Sequence, residues 1–200
     1  IKGKEVDPMS SQTEIEFKNL LTEEEFHSLR DAFSLSDTDF HSQTNTYFDT
    51  DDFQLKEAKK GFRLRVVGDR NELTLKSPGD NPHTMLEITE LISNEKRDQI
   101  LTQGYIDTQI YQAFSQLPDQ VNAFGSLRTE RAEVPYEGGL LVFDHSYYMQ
   151  LEDFEVEYEV EDLEAGRTHF YDLLKKHNIP TRQTDKKIAR FMKEALRQKG

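Results

Sequence analysis

The sequence predicts an α+β fold: an eight-stranded antiparallel β-sheet closed into a barrel, with helices on its outside. Three observations point there. Eight short segments of even length alternate in polarity, with few helices between them. In most of these segments one face is charged, with both signs present, and the other is apolar. Several intervening and terminal segments carry apolar stripes at helical spacing, suited to covering the apolar strand faces. If the helices pack outside, the charged faces point inward. Alternation alone also fits an open sheet with a solvated charged face, and on alternation the open sheet is the plainer reading.

The elements follow in order. In "TEIEFKNLL" (13–21), Glu14, Glu16 and Lys18 alternate with Ile15 and Phe17, as in a strand. Thr22 followed by Glu25 is a capping box, and Phe26, Leu29 and Phe33 continue at helical spacing. "TNTYFDT" (44–50), "FRLRVV" (62–67) and "ELTLK" (72–76) read as strands, the last two joined at Gly68-Asp69. After "SPGDNP" comes the strand "MLEITEL" (85–91), then two expected helices at about 94–103 and 107–117. Strands return at 126–134, at 140–148 after Gly138-Gly139, and at 154–161. Two helices, about 166–177 and 185–198, close the chain with Pro180 between them. Residues 1–8, "IKGKEVDP", fit nothing that follows and read as a vector remnant before a natural start at Met9; residues 9–200 read as one domain.

Composition narrows the function. Hydrophobic residues are 35% and charged residues 32% of the 200, so the apolar layer must be thin and well placed. A net charge of −13 argues against binding nucleic acid or an anionic membrane, and makes clustered basic residues informative. The absence of cysteine excludes disulfides and thiolate metal sites and favours a cytoplasmic address. No apolar run approaches the ~20 residues of a spanning helix. The six histidines show no ligand spacing, and no phosphate-binding glycine loop of the Walker type is present.

Glu14 and Glu16 lie about 6.5–7 Å apart along one strand face and can converge on a cation. Glu155 and Glu157 repeat the arrangement within residues 151–164, which hold eight acidic side chains and no basic one. Oxygen-rich clusters of this kind suit Mg²⁺ or Mn²⁺; a solvated acidic strand is the plainer account of residues 159–164. Lys18, Arg63, Arg65 and Lys76 fall on the same polar faces, and paired arginines suit phosphate oxygens as well as they suit cross-barrel ion pairs. An interior holding both signs costs several kcal/mol per ion where pairing is imperfect. A wet interior that binds a polyanion together with a divalent metal reconciles the two sets.

These residues resemble the CYTH superfamily, the triphosphate tunnel metalloenzymes: thiamine triphosphatases, inorganic triphosphatases, class IV adenylyl cyclases and fungal-type RNA triphosphatases. "EIEFK" matches the family's ExExK signature. "YFDT", "RLR", "LTLK", Glu87, "VFD", "FEVEYE" and "DKKIARF" follow in order, from residue 14 to about 192. The likeness is greatest to CYTH proteins of Gram-positive bacteria. It implies an eight-stranded barrel whose charged interior is a tunnel, and it favours the barrel over the open sheet.

Carried onto this chain, the resemblance implies Glu14, Glu16, Glu155 and Glu157 as ligands of Mg²⁺ or Mn²⁺. It implies Lys18, Arg63, Arg65, Lys76, Arg131, Lys187 and Arg190 as phosphate-gripping residues, with Lys186 as an alternative to Lys187. Glu87 and Asp144 are the candidates for taking a proton from water. Two departures bear on the phosphate grip: Thr129 stands where many relatives carry a basic residue, which Arg128 replaces only through a bulge, and the family's Ser-Lys reads Asp185-Lys186-Lys187. The implied activity is metal-dependent release of the terminal phosphate of a small triphosphate, inorganic or organic such as thiamine triphosphate. The alternatives are a nucleotidyl cyclase and a polyphosphate or nucleotide sensor without catalysis.

Overall fold

The structure, a computed structural model, describes residues 9–199; the segment 1–8, read above as a vector remnant, lies outside the described residues. The strands are β1 Met9–Leu21, β2 His41–Asp49, β3 Gly61–Val67, β4 Arg70–Pro78, β5 Thr84–Ile92, β6 Tyr105–Asp107, β7 Gln120–Tyr136, β8 Gly139–Tyr148 and β9 Leu151–Val160. The helices are α1 Glu23–Ala32, α2 Gln54–Glu57, α3 Asn94–Gln103, α4 Leu163–Lys176 and α5 Lys187–Lys199.

The sheet runs β2-β3-β4-β5-β1-β9-β8-β7 and closes through a β2–β7 pairing, so eight antiparallel strands form the barrel. Short β6 pairs only with the start of β7. Tight turns set the registers. Val67 pairs Arg70 around Gly68, which has φ +55°. Tyr136 pairs Gly139 around Glu137 and Gly138, both at positive φ, the backbone a two-residue hairpin demands.

Two apolar clusters lie outside the barrel. Phe17, Leu141, Phe143, Val156 and Tyr158 meet α1 and α4 through Phe26, Leu29, Phe170 and Leu173. Phe48, Phe62, Leu64, Leu73 and Leu75 meet Ile100, Phe114 and Leu117 on the other side. Each large side chain so buried contributes roughly 1.5–3 kcal/mol, and this outer layer offsets the cost of a charged interior. Gly166 lets α4 lie close: a Cβ there would stand 2.5 Å from Val160 and 3.1 Å from Phe17. The capping box at Thr22 and Glu25 forms as expected. A third, smaller cluster joins Tyr47, Leu127, Tyr148 and Phe191 and seats α5 on the barrel.

The expected helix at 107–117 is absent. Those residues form the end of β6 and two single 3₁₀ turns, Thr108–Ile110 and Gln112–Phe114. Tyr111, Phe114 and Leu117 recur every third residue, the period of 3₁₀ turns, and all three are buried. β7 also begins earlier than expected, at Gln120, with a register shift against β2 between Tyr47 and Phe48. The shift brings Gly125 beneath α5, where a Cβ would stand 2.5 Å from the Phe191 ring. Among the described residues no helix is long and apolar enough to cross a membrane.

Candidate active site

Alternation sends one face of every barrel strand inward, and the inward residues enclose a cavity of about 580 Å³. β1 supplies Glu14, Glu16 and Lys18; β3 supplies Arg63 and Arg65; β4 and β5 supply Lys76 and Glu87; β7 and β9 supply Arg131 and Glu157. Lys187 reaches in from α5. Asp144 and Glu155 lie beneath this lining, fully enclosed, and Arg190 packs behind Glu155. Its lining includes the exposed Gln12, Glu133, Lys56 and Lys59, so the cavity reaches the surface.

The acidic side holds two ion-pair groups, a small one around Lys76 and a long chain from Glu16 to Asp153. Lys18 lies 2.5 Å from Glu16 and 3.8 Å from Glu157. Lys76 bridges strands, 2.5 Å from Glu14 and 3.2 Å from Glu87. Arg131 grips Asp144 with two hydrogen bonds of 2.7 and 2.6 Å and approaches Glu157 at 3.4 Å. Lys187 contacts Asp144 and lies 2.9 Å from Glu155. Arg190 lies 2.9 Å from Glu155 and 3.1 Å from Asp153.

These neighbours decide which carboxyls ionise easily. Burial raises Asp144, but Arg131 and Lys187 overcome it and hold its pKa below the usual carboxylate range. Burial likewise opposes ionisation of Glu157, which Lys187, Lys18 and Arg131 drive well below that range. Glu16 and Glu87 are also lowered: burial works against them, while Lys18 favours the first anion and Lys76 the second. At Glu155 burial wins and the pKa is raised. Both of its oxygens are buried without a hydrogen bond, so the nearby ammonium and guanidinium are close but badly aimed. Glu159, desolvated and facing Glu14 and Glu157, is pushed up to about 7.

The opposite side behaves differently. Arg65 donates one hydrogen bond, 2.9 Å, to Asn45 Oδ1 and forms no ion pair among the described residues. Burial and the like charges of Arg63 and Arg131 push its pKa down. Arg63 also has no carboxylate partner among the described residues, and its Nε is buried without a hydrogen bond. Lys186 touches the Met85 thioether; burial and the cations Lys18 and Lys76 lower its pKa.

Asp144, Glu155 and Glu157 offer ligand atoms all within 4.8 Å of one another. That span suits one cation touching all three at the ~2.0–2.6 Å of Mg²⁺- or Ca²⁺-type oxygen ligation. Hard carboxylate donors and the poorly satisfied Glu155 fit such an ion. Glu14 and Glu16 lie outside this triad, each tied to a lysine. Arg128 points away from the cavity, over the Tyr147 ring at 4.5 Å, and Thr129 is buried against Ser146; no bulge turns Arg128 inward. Sequence reasoning passed over Asn45, which orients Arg65, and the lysines of "KEAKK" at the cavity edge. The second had a legible signal, a basic run in an acidic chain.

Comparison with known proteins agrees with this geometry. The chain is 40% identical over 191 residues to "Putative triphosphatase YjbK" of Bacillus subtilis (strain 168), covering 93% of this chain and 97% of that protein. The crystal structure of a "putative adenylate cyclase" from Bacillus halodurans superposes with a TM-score of 0.83 at 34% identity, covering 90% of this chain and 98% of that one. "Putative adenylyl cyclase HpAC1" from Hippeastrum shares the fold, with a TM-score of 0.72 at 24% identity over 91% of this chain and 95% of that one. The CYTH domain model matches residues 12–192, and the chain belongs to that family.

Proposed function

We propose that the protein is a metal-dependent triphosphatase that releases the terminal phosphate of a small triphosphate inside the barrel. The observation that carries this reading is the pairing of opposites in one cavity: Arg63 and Arg65 lack carboxylate partners, while Asp144, Glu155 and Glu157 converge opposite them. A linear polyanion with a divalent ion completes both halves. The 40% identity to a protein named as a triphosphatase supports the same activity.

In this reading Arg63 and Arg65 grip phosphate oxygens, and Lys18, Lys76, Arg131 and Lys187 surround the rest of the chain of phosphates; Arg190, expected among them, packs behind Glu155 off the cavity and does not reach the substrate. The strand-borne charges are in place before the substrate arrives, so they stabilise charge spreading over the transferring group with little reorganisation. Asp144, Glu155 and Glu157 would hold a divalent ion, with Glu14 and Glu16 nearby. Mg²⁺ or Mn²⁺ would supply Lewis-acid polarisation of phosphate oxygens. Of the two proton-acceptor candidates, Glu87 lines the cavity, whereas Asp144 is enclosed and committed to Arg131 and Lys187. The net charge of −13 and the missing cysteines support a cytoplasmic protein that avoids nucleic acid and membranes.

A second reading, a nucleotidyl cyclase, is favoured by the name of the 34% identical Bacillus halodurans neighbour. One assay separates them: inorganic triphosphate, thiamine triphosphate and ATP, each incubated with Mg²⁺ and with Mn²⁺. Orthophosphate from a triphosphate is the expected product. Pyrophosphate with a cyclic nucleotide from ATP would install the cyclase, and binding without turnover would leave a sensor.

A further inference from the structure

The carboxylates best arranged for a divalent ion already hold a cation that belongs to the chain. Lys187, the first residue of α5, contacts Asp144 and lies 2.9 Å from Glu155. Both carboxylates belong to the converging triad. A divalent ion on these oxygens would stand within a few ångströms of the ammonium, in a site too enclosed for water to screen the repulsion between a dication and Lys187.

The backbone around Lys187 allows an exchange. The chain before it is tied down by Arg182 N–H to Asn19 Oδ1, 2.7 Å, and by Leu20 N–H to Thr184 Oγ1, 3.1 Å. The rest of α5 is held by Phe191 in the aromatic cluster and by Arg190 on Asp153. Asp185 and Lys186 lie between these anchors; the Asp185 carbonyl accepts from Arg190 Nη1 at 2.7 Å and the Lys186 carbonyl from the Arg190 N–H at 3.0 Å, so loosening the first turn means breaking these two bonds. Lys187 also lines the cavity, so a displaced ammonium has a wet space beside it.

We propose that Lys187 is a built-in occupant of the divalent-ion site, displaced into the cavity when the ion enters, where it becomes available to an anion. Ion binding then loosens the first turn of α5 and adds a free positive charge to the phosphate-facing lining. The ion and the triphosphate reinforce one another through one side chain. This rests on reading Asp144, Glu155 and Glu157 as ion ligands.

The test uses Mn²⁺ alone, without substrate, so a failure of the triphosphatase reading does not touch it. By calorimetry, Lys187→Gln should bind Mn²⁺ about tenfold tighter than wild type, because the resident charge is gone. Lys187→Arg keeps the charge and should bind no tighter than wild type. In wild type, Mn²⁺ should also speed hydrogen exchange at the Arg190 amide, whose bond to the Lys186 carbonyl, 3.0 Å, closes the first turn of α5. Equal or weaker Mn²⁺ affinity in Lys187→Gln overturns the proposal. If that variant does not fold, unchanged exchange in wild type on adding Mn²⁺ overturns it instead. Absence of Mn²⁺ binding in every variant removes the ion site and this inference together.

Discussion

On the wall built from β1, β7–β9 and the start of α5, each cation reaches a carboxylate: Lys18, Arg131, Lys187 and Arg190 all find one at 2.9 Å or closer. On the facing wall, Arg63 and Arg65 of β3 reach none among the described residues. The two walls use the same chemistry and differ only in whether the protein supplies the counter-charge. A matched wall can fold and persist by itself. An unmatched pair of half-buried guanidiniums costs stability, and a chain with 38 acidic residues had partners available. In the proposed triphosphatase reading, their unmatched charge is what a polyanion from solvent meets.

The largest expected effect comes from the matched wall. Glu157→Gln keeps shape but removes one negative charge from the converging triad. Metal-dependent phosphate release should fall on the order of 100-fold or more, by analogy with the loss of a single transition-state-stabilising group. Triphosphate binding measured in chelator should survive or tighten, since an anion no longer meets that carboxylate. Equal metal-dependent activity in both proteins would remove Glu157 from the ion site.

On the unmatched wall, Arg65→Ala should weaken triphosphate binding by about 1.5–3 kcal/mol, the worth of a charged hydrogen bond. Thermal stability without ligand should stay level or rise, because a desolvated cation without a partner has gone. A variant that binds normally but melts lower would show that the guanidinium serves the fold instead.

The smallest effect concerns Glu159, whose carboxyl is pushed up to about 7 by burial and by Glu14 and Glu157. The unfolded chain releases this proton at a lower pH than the folded one. Its contribution is therefore full below about 4.5 and is lost as pH rises through about 7. In metal-free buffer, Glu159→Gln should flatten the decline in stability across that window, by of order 1–2 kcal/mol. An unchanged pH profile would place Glu159 in ordinary solvent.

The strands were legible because each core strand writes its environment twice, apolar outward and charged inward, as in Leu64 and Val66 against Arg63 and Arg65. Segment 107–117 failed because three apolar residues spaced by three resemble a helical stripe over so short a run. The inward placement of Glu14, Glu16 and Lys18 followed from alternation once the barrel closed. Their partners did not, because charge patterning gives a side chain's sign and not the strand it faces. Nothing along the chain says that Lys187 meets Asp144, or that Arg65 meets only Asn45.

One feature of the sheet order reaches beyond chemistry into how the molecule is made. The first strand pairs with both β5 and β9, so Leu21 finds Phe154 across most of the chain. During synthesis β1 emerges first and waits for its last neighbour until nearly everything else has been produced. Such distant pairing slows folding toward milliseconds to seconds. Successive hairpins link β2–β5 and likewise β7–β9, and two seams join these halves: β2–β7, and β1 with its last partner, β9. Because Glu16 and Lys18 meet Glu157 only at that last seam, the charged interior comes into being when the chain closes and is lost when it opens.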